Sequence, residues 1–474
     1  MDLESLTIKD AIEGLKNKKT SIIDLVKSCF ARIDKLNKKL NVFIELNEEN
    51  AIKQAKAQDN DLVKAGKEIF NQKPLFGIPI AIKDLYSTEN LRTTAGSNII
   101  NDYVPPFDAT VVKKLKNAGA IILGKTNEDA WGHGSSGENS DHGPTKNPYD
   151  LERVPGGSSS GSAVAVRTNQ CLMATGTDTG SSVRLPAAFC NLVGLKPTYG
   201  RVSRYGVIAM ASSFDSVGHL TKTVYDSAKV LEITAGIDPY DATSVRKEVD
   251  HYTEFLEKPI KGLKVGIPKE YFVGGMDTKI EKLTREAIKI IEKLGAVIRD
   301  VSLPHTDYAM ACYYILVPSE ISSNLSKFDG IRYGSERETF GAEAKRRIIL
   351  GTYTLSSGYY DAYYLKAAKV RSLIKQDFDN AFKDVDIIVA PTSPSLPFKI
   401  GEKANDPLQM YLSDIFVCPI NIAGIPSLNV PCGFINNLPV GMQIIGPQFE
   451  ERLLYQVGSA FESETQFYKV HPKI

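Results

Sequence analysis

The stretch of sequence that decides the fold is rich in glycine and serine. It reads Val154-Pro-Gly-Gly-Ser-Ser-Ser-Gly-Ser-Ala-Val-Ala-Val166, and a second run, Thr175-Gly-Thr-Asp-Thr-Gly-Ser-Ser-Val-Arg-Leu-Pro186, follows it. Such composition is by itself typical of a turn or a flexible connection. A phosphate-binding loop is disfavoured, because no Gly-Lys-Ser/Thr follows the glycines. Any chemistry in these two runs therefore depends on residues elsewhere in the chain.

A lysine upstream of the two runs is the first such residue. Gly77-Ile-Pro-Ile-Ala-Ile-Lys83 is a short apolar run typical of a buried strand, and Asp84 follows it. Taken alone, Lys83 is most simply a solvated surface residue. At the end of a buried strand it must instead be paired, buried or functional, because lysine is almost never fully buried without a partner. Lys83 lies 75 residues before Ser158, and Ser158 lies 24 residues before Ser182.

Together these segments resemble the amidase signature family, in which a lysine at a strand end and two serines in loops form the catalytic site. The spacing of the three residues matches the family, and the resemblance runs from Gly77 to Gly446. It implies that Ser182 is the nucleophile, that Ser158 passes its proton to Lys83, and that the Gly157–Ser158 peptide is cis. A serine hydroxyl needs a base within hydrogen-bond reach. Lysine serves as that base only when it is neutral, which requires burial or nearby positive charge.

The resemblance also implies an oxyanion hole built from the backbone N–H groups of Thr179, Gly180 and Ser181, together with that of Ser182. The family has two glycines before the nucleophile, whereas this chain has Gly180-Ser181, and Ser160 likewise stands where glycine is usual. If the backbone at Ser181 needs a positive φ, a serine there adds strain of about 1–2 kcal/mol.

The two neighbouring serines leave open which of them attacks. We choose Ser182, because Ser-x-Arg ending at Arg184 keeps the family's spacing. Asp178 and Arg184 are expected to form an ion pair that braces the loop, rather than to take part in the chemistry.

Within the family, the chain is similar to the glutaminases that serve tRNA-dependent amidotransferases. A glutaminase must recognise the α-carboxylate and the α-ammonium of free glutamine, which requires a cation and an anion. The resemblance assigns these roles to Arg347 and Asp414, with Tyr313 lining the same pocket. The sequence does not separate Tyr313 from Tyr314, and an exposed basic turn is the alternative for Arg347. The segments that carry the similarity are residues 194–206, 323–334, 355–364 and 421–426.

The resemblance implies a reaction and a set of partners. Ser182 would attack the side-chain amide of glutamine and release ammonia, and water would then hydrolyse the glutamyl-enzyme. The ammonia would pass to the other subunits, B and C, of a heterotrimer. The former would hold the misacylated Glu-tRNA(Gln), Asp-tRNA(Asn) or both, with ATP and magnesium, and no cofactor or metal is expected in this chain. The alternatives are a free-standing amidase acting on small amides and a non-catalytic scaffold protein.

Composition limits the other classes of function. The chain has 474 residues, of which 42% are hydrophobic and 24% are charged, as in an average globular protein. Its net charge of +1 creates no general attraction to nucleic acid or membrane. Six scattered cysteines without a C-x-x-C pair disfavour a disulfide framework or a zinc site, and His133 and His142 are interpreted as loop residues. Because no secretory signal or membrane span is recognisable, a cytoplasmic location is expected.

The order of the predicted elements indicates an α/β fold with a mixed, largely parallel central sheet covered by helices on both faces. Residues 1–70 are expected to form a helical segment packed on the core, with Ser21 capping one helix. Residues 71–474 are expected to form a single amidase domain, with residues 238–258 as a candidate surface excursion. Besides the run ending at Lys83, strands are predicted at residues 120–123, 265–267, 387–390, 427–430 and 442–445, and helices at residues 280–294 and 363–382.

Overall fold

The computed structural model describes residues 6–272, 275–404 and 406–474. Within these ranges the strands are β1 (Phe43–Leu46), β2 (Pro79–Lys83), β3 (Ile121–Thr126), β4 (Met173–Asp178), β5 (Val193–Lys196), β6 (Ser216–Thr221), β7 (Lys264–Pro268), β8 (Val297–Val301), β9 (Ile387–Pro391), β10 (Ser427–Ile435) and β11 (Leu438–Ile445). They form one sheet of 11 strands in the order β1-β3-β2-β4-β6-β5-β10-β11-β9-β7-β8.

Helices surround this sheet. A π-helix, Asp361–Leu365, leads directly into the twelfth α-helix. The α-helices in the described ranges are α1 (Ile8–Lys16), α2 (Ile22–Leu40), α3 (Glu48–Ala65), α4 (Ile69–Gln72), α5 (Thr110–Asn117), α6 (Ser160–Arg167), α7 (Arg184–Phe189), α8 (Val224–Thr234), α9 (Thr278–Lys293), α10 (Ala309–Asn324), α11 (Ala342–Thr354), α12 (Lys366–Ala381), α13 (Pro407–Leu412), α14 (Cys418–Ala423) and α15 (Glu451–Thr465). None of them combines the length and the apolar character that a membrane crossing requires.

The α/β class and the mixed sheet agree with the prediction, but the expectation of a largely parallel sheet is wrong. Of the ten neighbouring strand pairs in the described ranges, four are parallel and six are antiparallel. The hairpin of β10 and β11 turns at Asn436 and Asn437, both with a positive φ, and pairs antiparallel with β5 on one side and β9 on the other. An apolar run shows that a strand is buried, but it carries no information about the strand's direction.

The predicted strands are all present within a few residues, and the structure adds five more. Among the added strands, β4 and β6 lie at the centre of the sheet and are fully buried. Their sequences, Met-Ala-Thr-Gly-Thr-Asp and Ser-Val-Gly-His-Leu-Thr, are too polar to be recognised as buried strands. The polar residues of β4 are retained in the core because their hydroxyls bond to Lys83.

The helices at the start of the chain begin where their caps predict. The Ser21 hydroxyl accepts a hydrogen bond from the backbone N–H of Asp24, so α2 begins at Ile22, and its apolar face is buried. The segment before residue 70 also supplies β1, which pairs antiparallel with β3 and was not predicted. Residues 1–5 lie outside the described ranges. Residues 238–258 contain one short 3-10 helix, Tyr252–Phe255. The division of the chain at residue 70 stays a prediction.

Two parallel neighbours, β2 and β4, bring the candidate residues together. Ile80 pairs with Met173 and Ala81 pairs with Ala174, so both strands end at the same edge of the sheet. The loops that follow such parallel ends converge over that edge. The candidate site lies there.

Candidate active site

The side chain of Lys83 is fully buried at the end of β2 and surrounded by hydroxyl groups. Its Nζ donates to Ser158 Oγ at 2.7 Å, to Thr177 Oγ1 at 2.9 Å and to Ser159 Oγ at 3.1 Å. Burial lowers the pKa of Lys83 below its ordinary value, because water no longer stabilises the ammonium, while the carboxylate of Glu128 acts in the opposite direction. The structure therefore brings Lys83 and Ser158 into direct contact.

Ser158 lies in the tight loop before α6. The Gly157–Ser158 peptide bond is cis. Gly157 has no room for a side chain, because a Cβ there would lie 2.0 Å from Asp129 Oδ2. The backbone N–H of Ser159 donates to the carbonyl oxygen of Ser182 at 3.1 Å, which joins this loop to the second serine run. The lysine and the two serine loops thus form one continuous cluster, in which Ser182 is almost completely buried.

An ion pair braces the loop that carries Ser182. Arg184 Nε and Nη2 donate to the two carboxylate oxygens of Asp178 at 3.0 Å each, and both side chains are fully buried. Burial acts to raise the pKa of Asp178, but the guanidinium holds that pKa below its ordinary value. Arg184 also donates to the carbonyl oxygen of Gly180 at 3.0 Å and to the side chain of Asn421. Asp178 and Arg184 therefore have the structural role that was predicted.

Arg184→Met is expected to lower the free energy of unfolding by about 3–5 kcal/mol, because it leaves the buried carboxylate of Asp178 without its counter-charge. Denaturant-induced unfolding followed by circular dichroism measures this loss. The matched control is Lys375→Met, which breaks the pair with Asp379 on α12, where the side chains are 40% and 50% exposed. That control is expected to lose less than about 1 kcal/mol. Equal losses in the two variants would contradict the bracing role of Arg184.

Unbonded backbone donors precede the nucleophile candidate. The N–H groups of Thr179, Gly180, Ser181 and Ser182 donate no hydrogen bond to any residue that the structure describes. Those of the next two residues are held by the Asp178 carboxylate. Neither Ser181 nor Ser160 has a positive φ, so the strain that a serine would suffer there does not arise.

Tyr313 and Tyr314 connect this loop to Arg347. Tyr313 packs directly on Gly180, where a Cβ would lie 2.7 Å from the tyrosine hydroxyl oxygen. The rings of Tyr313 and Tyr314 are 5.0 Å apart in an edge-to-face arrangement. The guanidinium of Arg347 lies 5.5 Å from the centre of the Tyr314 ring. Both tyrosines therefore belong to the pocket, and Tyr313 is the one that touches the nucleophile loop.

Arg347 is buried on α11 and does not form an exposed basic turn. Its Nε donates to Glu343 Oε1 at 2.7 Å, while its two Nη groups have no hydrogen-bond acceptor among the described residues. Burial acts to lower the pKa of Arg347, but the Glu343 carboxylate raises it above its ordinary value. A cavity of about 120 Å³ opens beside the guanidinium and is lined by residues that include Gly134, Ser135, Glu343 and Tyr411.

Asp414 lies between Arg347 and the nucleophile loop and feels the charge or the hydrogen bonding of both. Burial raises the pKa of Asp414 to about 7, against the lowering effects of the Ser181 hydroxyl and the Arg347 guanidinium. Its Oδ1 atom is buried without a hydrogen-bond partner among the described residues. The hydroxyl of Ser181 is therefore directed to Asp414, whereas the main chain of Ser182 is tied to the loop of Ser158.

Similarity to known proteins extends over most of the chain. The family model described as Amidase matches residues 24–455. The chain belongs to the amidase family. Proteins named as the A-subunit of glutamyl-tRNA(Gln) amidotransferase from Carboxydothermus hydrogenoformans and Geobacillus kaustophilus are 50% and 52% identical to this amidase, and each alignment covers 100% of both chains. The crystal structure of a protein of the same name from Thermotoga maritima matches it with a TM-score of 0.85 at 41% identity, covering 100% of this chain and 98% of that one.

Three neighbours of Lys83 in this amidase were not predicted from the sequence. Ser159 and Thr177 accept hydrogen bonds from its Nζ, and Glu128 Oε2 lies 3.4 Å from the same atom. The alternation of Thr175 and Thr177 was a usable signal, because residues two apart on a strand point to the same face. Among the described residues, no group of three or more histidine, cysteine, aspartate and glutamate side chains could hold a metal ion.

Proposed function

We propose that this amidase is the glutaminase component of a glutamine-dependent tRNA amidotransferase. The observation that carries the proposal is the contact of 2.7 Å between the fully buried Nζ of Lys83 and Ser158 Oγ, beside the loop that carries Ser182. The names of the full-length relatives support the same activity and indicate that such a protein works as one part of a larger assembly.

The reaction begins with Ser182 Oγ attacking the side-chain amide carbon of glutamine. The hydroxyl proton passes to Ser158, which gives its own proton to neutral Lys83. When the tetrahedral intermediate collapses, the carbon–nitrogen bond breaks and the proton returns to the nitrogen, so that ammonia leaves and a glutamyl ester remains on Ser182. Water then attacks the ester, its proton follows the same route, and glutamate and free Ser182 are formed. Lysine is suited to this role only because burial favours its neutral form.

The unbonded N–H groups of Thr179, Gly180, Ser181 and Ser182 provide the oxyanion hole of this reaction. The negative charge that develops on the carbonyl oxygen needs fixed donors, and losing one donor typically lowers the rate by about 10²–10³-fold. Tyr313 keeps Gly180 free of any larger side chain, because a Cβ would meet its ring. The loop can therefore come close to the substrate.

Arg347 and Asp414 recognise the amino-acid end of glutamine. The free Nη groups of Arg347 match a carboxylate, and a fork of two N–H donors binds a carboxylate with two parallel hydrogen bonds. Asp414, with its unpartnered Oδ1, accepts from the α-ammonium. Because the pKa of Asp414 is about 7 before substrate binds, the arriving ammonium is expected to draw it fully into the carboxylate form.

Arg347→Met is expected to lower kcat/KM for glutamine by about 100-fold, because a buried charge-assisted contact to the α-carboxylate is lost. Turnover of a small aryl amide without a carboxylate is expected to change much less. The control is Lys345→Met on the exposed side of the same helix, which should leave both activities unchanged. If Arg347→Met leaves glutamine turnover intact, the pocket does not read an amino acid, and a free-standing amidase of small amides is the better assignment.

The ammonia is used by partner proteins, which we assign as subunits B and C of a cytoplasmic heterotrimer. The former would hold the misacylated tRNA and would bind ATP and magnesium. The deciding experiment is co-purification of this chain with its partners, followed by glutamine-dependent amidation of Glu-tRNA(Gln) and Asp-tRNA(Asn). Amidation of either tRNA supports the proposal and identifies the substrate. If the complex amidates neither tRNA and forms no glutamyl adduct on Ser182, this chain is instead a scaffold.

A further inference from the structure

Glu128 is a buried carboxylate for which the proposed reaction provides no role. It lies two residues after the end of β3, its side chain is fully buried, and its Oε2 atom is 3.4 Å from Lys83 Nζ. No donor among the described residues makes a well-directed hydrogen bond to either of its oxygens. A buried carboxylate in such surroundings destabilises the fold unless its charge is used.

The contacts of Lys83 show that Glu128 supplies charge rather than a hydrogen bond. An ammonium group has three donors, and those of Lys83 already have acceptors in Ser158, Ser159 and Thr177. What Glu128 adds is a negative charge beside the nitrogen. An opposite charge within about 4–6 Å favours the protonated form of a lysine and shifts its pKa by about 1–3 units.

We propose that Glu128 is a positioning residue for the base: its carboxylate holds the proton on Lys83 and thereby sets the pH above which Lys83 can accept the proton of Ser182. This inference rests on the proposed catalytic role of Lys83. The charge of Glu128 opposes the effect of burial, which by itself would leave Lys83 neutral at a lower pH.

Other charged groups face this pair and set the background on which Glu128 acts. Lys125 on β3 and Asp84 at the end of β2 are 3.6 Å apart and act on Glu128 with opposite signs. Asp129 and Asp178 add to the negative field at Lys83. Burial raises the pKa of Glu128 to about 8, against the effect of Lys83, so the two groups titrate as a pair and the fully active state has both groups deprotonated.

The test is the pH dependence of covalent labelling of Ser182 by a small aryl sulfonyl fluoride, followed by mass spectrometry. In this reaction the sulfur–fluorine bond breaks, an Oγ–sulfur bond forms, fluoride leaves, and the hydroxyl proton passes through Ser158 to Lys83. Glu128→Gln is expected to move the midpoint of the rising limb to lower pH by about 1 unit or more. On the acidic side this is an approximately tenfold faster labelling rate. An unchanged midpoint, or a midpoint at higher pH, overturns the proposal.

Further variants separate the charge of Glu128 from its packing. Glu128→Met is a second neutral variant and is expected to give the same direction of shift, so the test survives if the glutamine variant fails to fold. Glu128→Asp keeps the charge and is expected to stay closer to the wild-type midpoint. The matched control is Glu462→Gln, because burial raises the pKa of Glu462 to about 8 as well, but this carboxylate bonds the backbone of Val224. A shift of the midpoint in this control would overturn the assignment to Glu128.

The sulfonyl fluoride makes the two proposals separable, because it does not use the amino-acid pocket. A wild-type protein that is labelled at Ser182 with a rising pH profile, but does not hydrolyse glutamine, overturns the proposed function and leaves the role of Glu128 open to the same measurement. Wild-type labelling that does not depend on pH overturns the role of Glu128.

Discussion

Ser182→Ala is expected to lower the rate of glutamine hydrolysis by about 10⁴-fold or more and to abolish the covalent adduct. The magnitude follows from other serine hydrolases, in which removing the nucleophile alone costs about as much as removing the whole catalytic group. The structure favours Ser182 over its neighbour for a geometric reason. The carbonyl oxygen of Ser182 accepts the N–H of Ser159, which places it beside Ser158 and Lys83. Steady-state glutaminase kinetics and mass spectrometry of the trapped enzyme measure both effects.

Ser181→Ala is the matched variant for this prediction. The Ser181 hydroxyl interacts with Asp414, so its loss is expected to reduce glutamine turnover by no more than about tenfold, the value of one hydrogen bond. The adduct on Ser182 should still form. An adduct that persists in Ser182→Ala and disappears in Ser181→Ala would exchange the roles of the two serines.

Lys83→Met is expected to lower kcat/KM for glutamine by about 10²–10⁴-fold, the usual contribution of general acid–base catalysis. It should also remove the rise of activity with pH. The sign follows from the environment: burial lowers the pKa of Lys83, and raising the pH through that value converts the ammonium into the amine that acts as the base. The pH profile of kcat/KM is the measurement. A methionine variant with the wild-type profile would show that Lys83 is not the base.

Two controls distinguish chemistry from folding in this prediction. Lys83→Met leaves Glu128 buried without its nearest counter-charge, so the double variant Lys83→Met/Glu128→Gln restores neutrality and should be folded and equally inactive. Lys222→Met removes another buried lysine, whose pKa is lowered by burial to about 7 and whose Nζ bonds to the carbonyl oxygen of Leu6. Lys222→Met is expected to keep the wild-type pH profile, because Lys222 contacts neither serine loop.

The elements that were predictable from the sequence are those in which local pattern and burial agree. The apolar run ending at Lys83 is a buried strand, and Ser21 caps α2, because a β-strand and a helix cap each depend on a few consecutive residues. Central strand β4 was missed for the opposite reason. Its threonines face Lys83, so the residues that make the strand important to the site also hide it from a search for apolar runs.

Side-chain partners far apart in sequence were not predictable from local pattern. The resemblance to amidases named Arg347, Asp414 and one of two tyrosines as candidates, but it did not show that Tyr313 packs on Gly180 while Tyr314 lies under Arg347. Glu128 has no distinctive sequence context at all. It becomes notable only because β3 lies next to β2 in the sheet and places its carboxylate 3.4 Å from Lys83 Nζ.

The sequence by itself determined the family, the α/β class and the three residues proposed for catalysis, because their identities and spacing are properties of the chain. Only the tertiary structure decided the strand directions and the environment of Lys83. Hydrogen bonding across the sheet, rather than local preference, sets which strands are neighbours, and β2 therefore ends between β3 and β4. That position removes water from the lysine and surrounds it with three hydroxyls and one carboxylate.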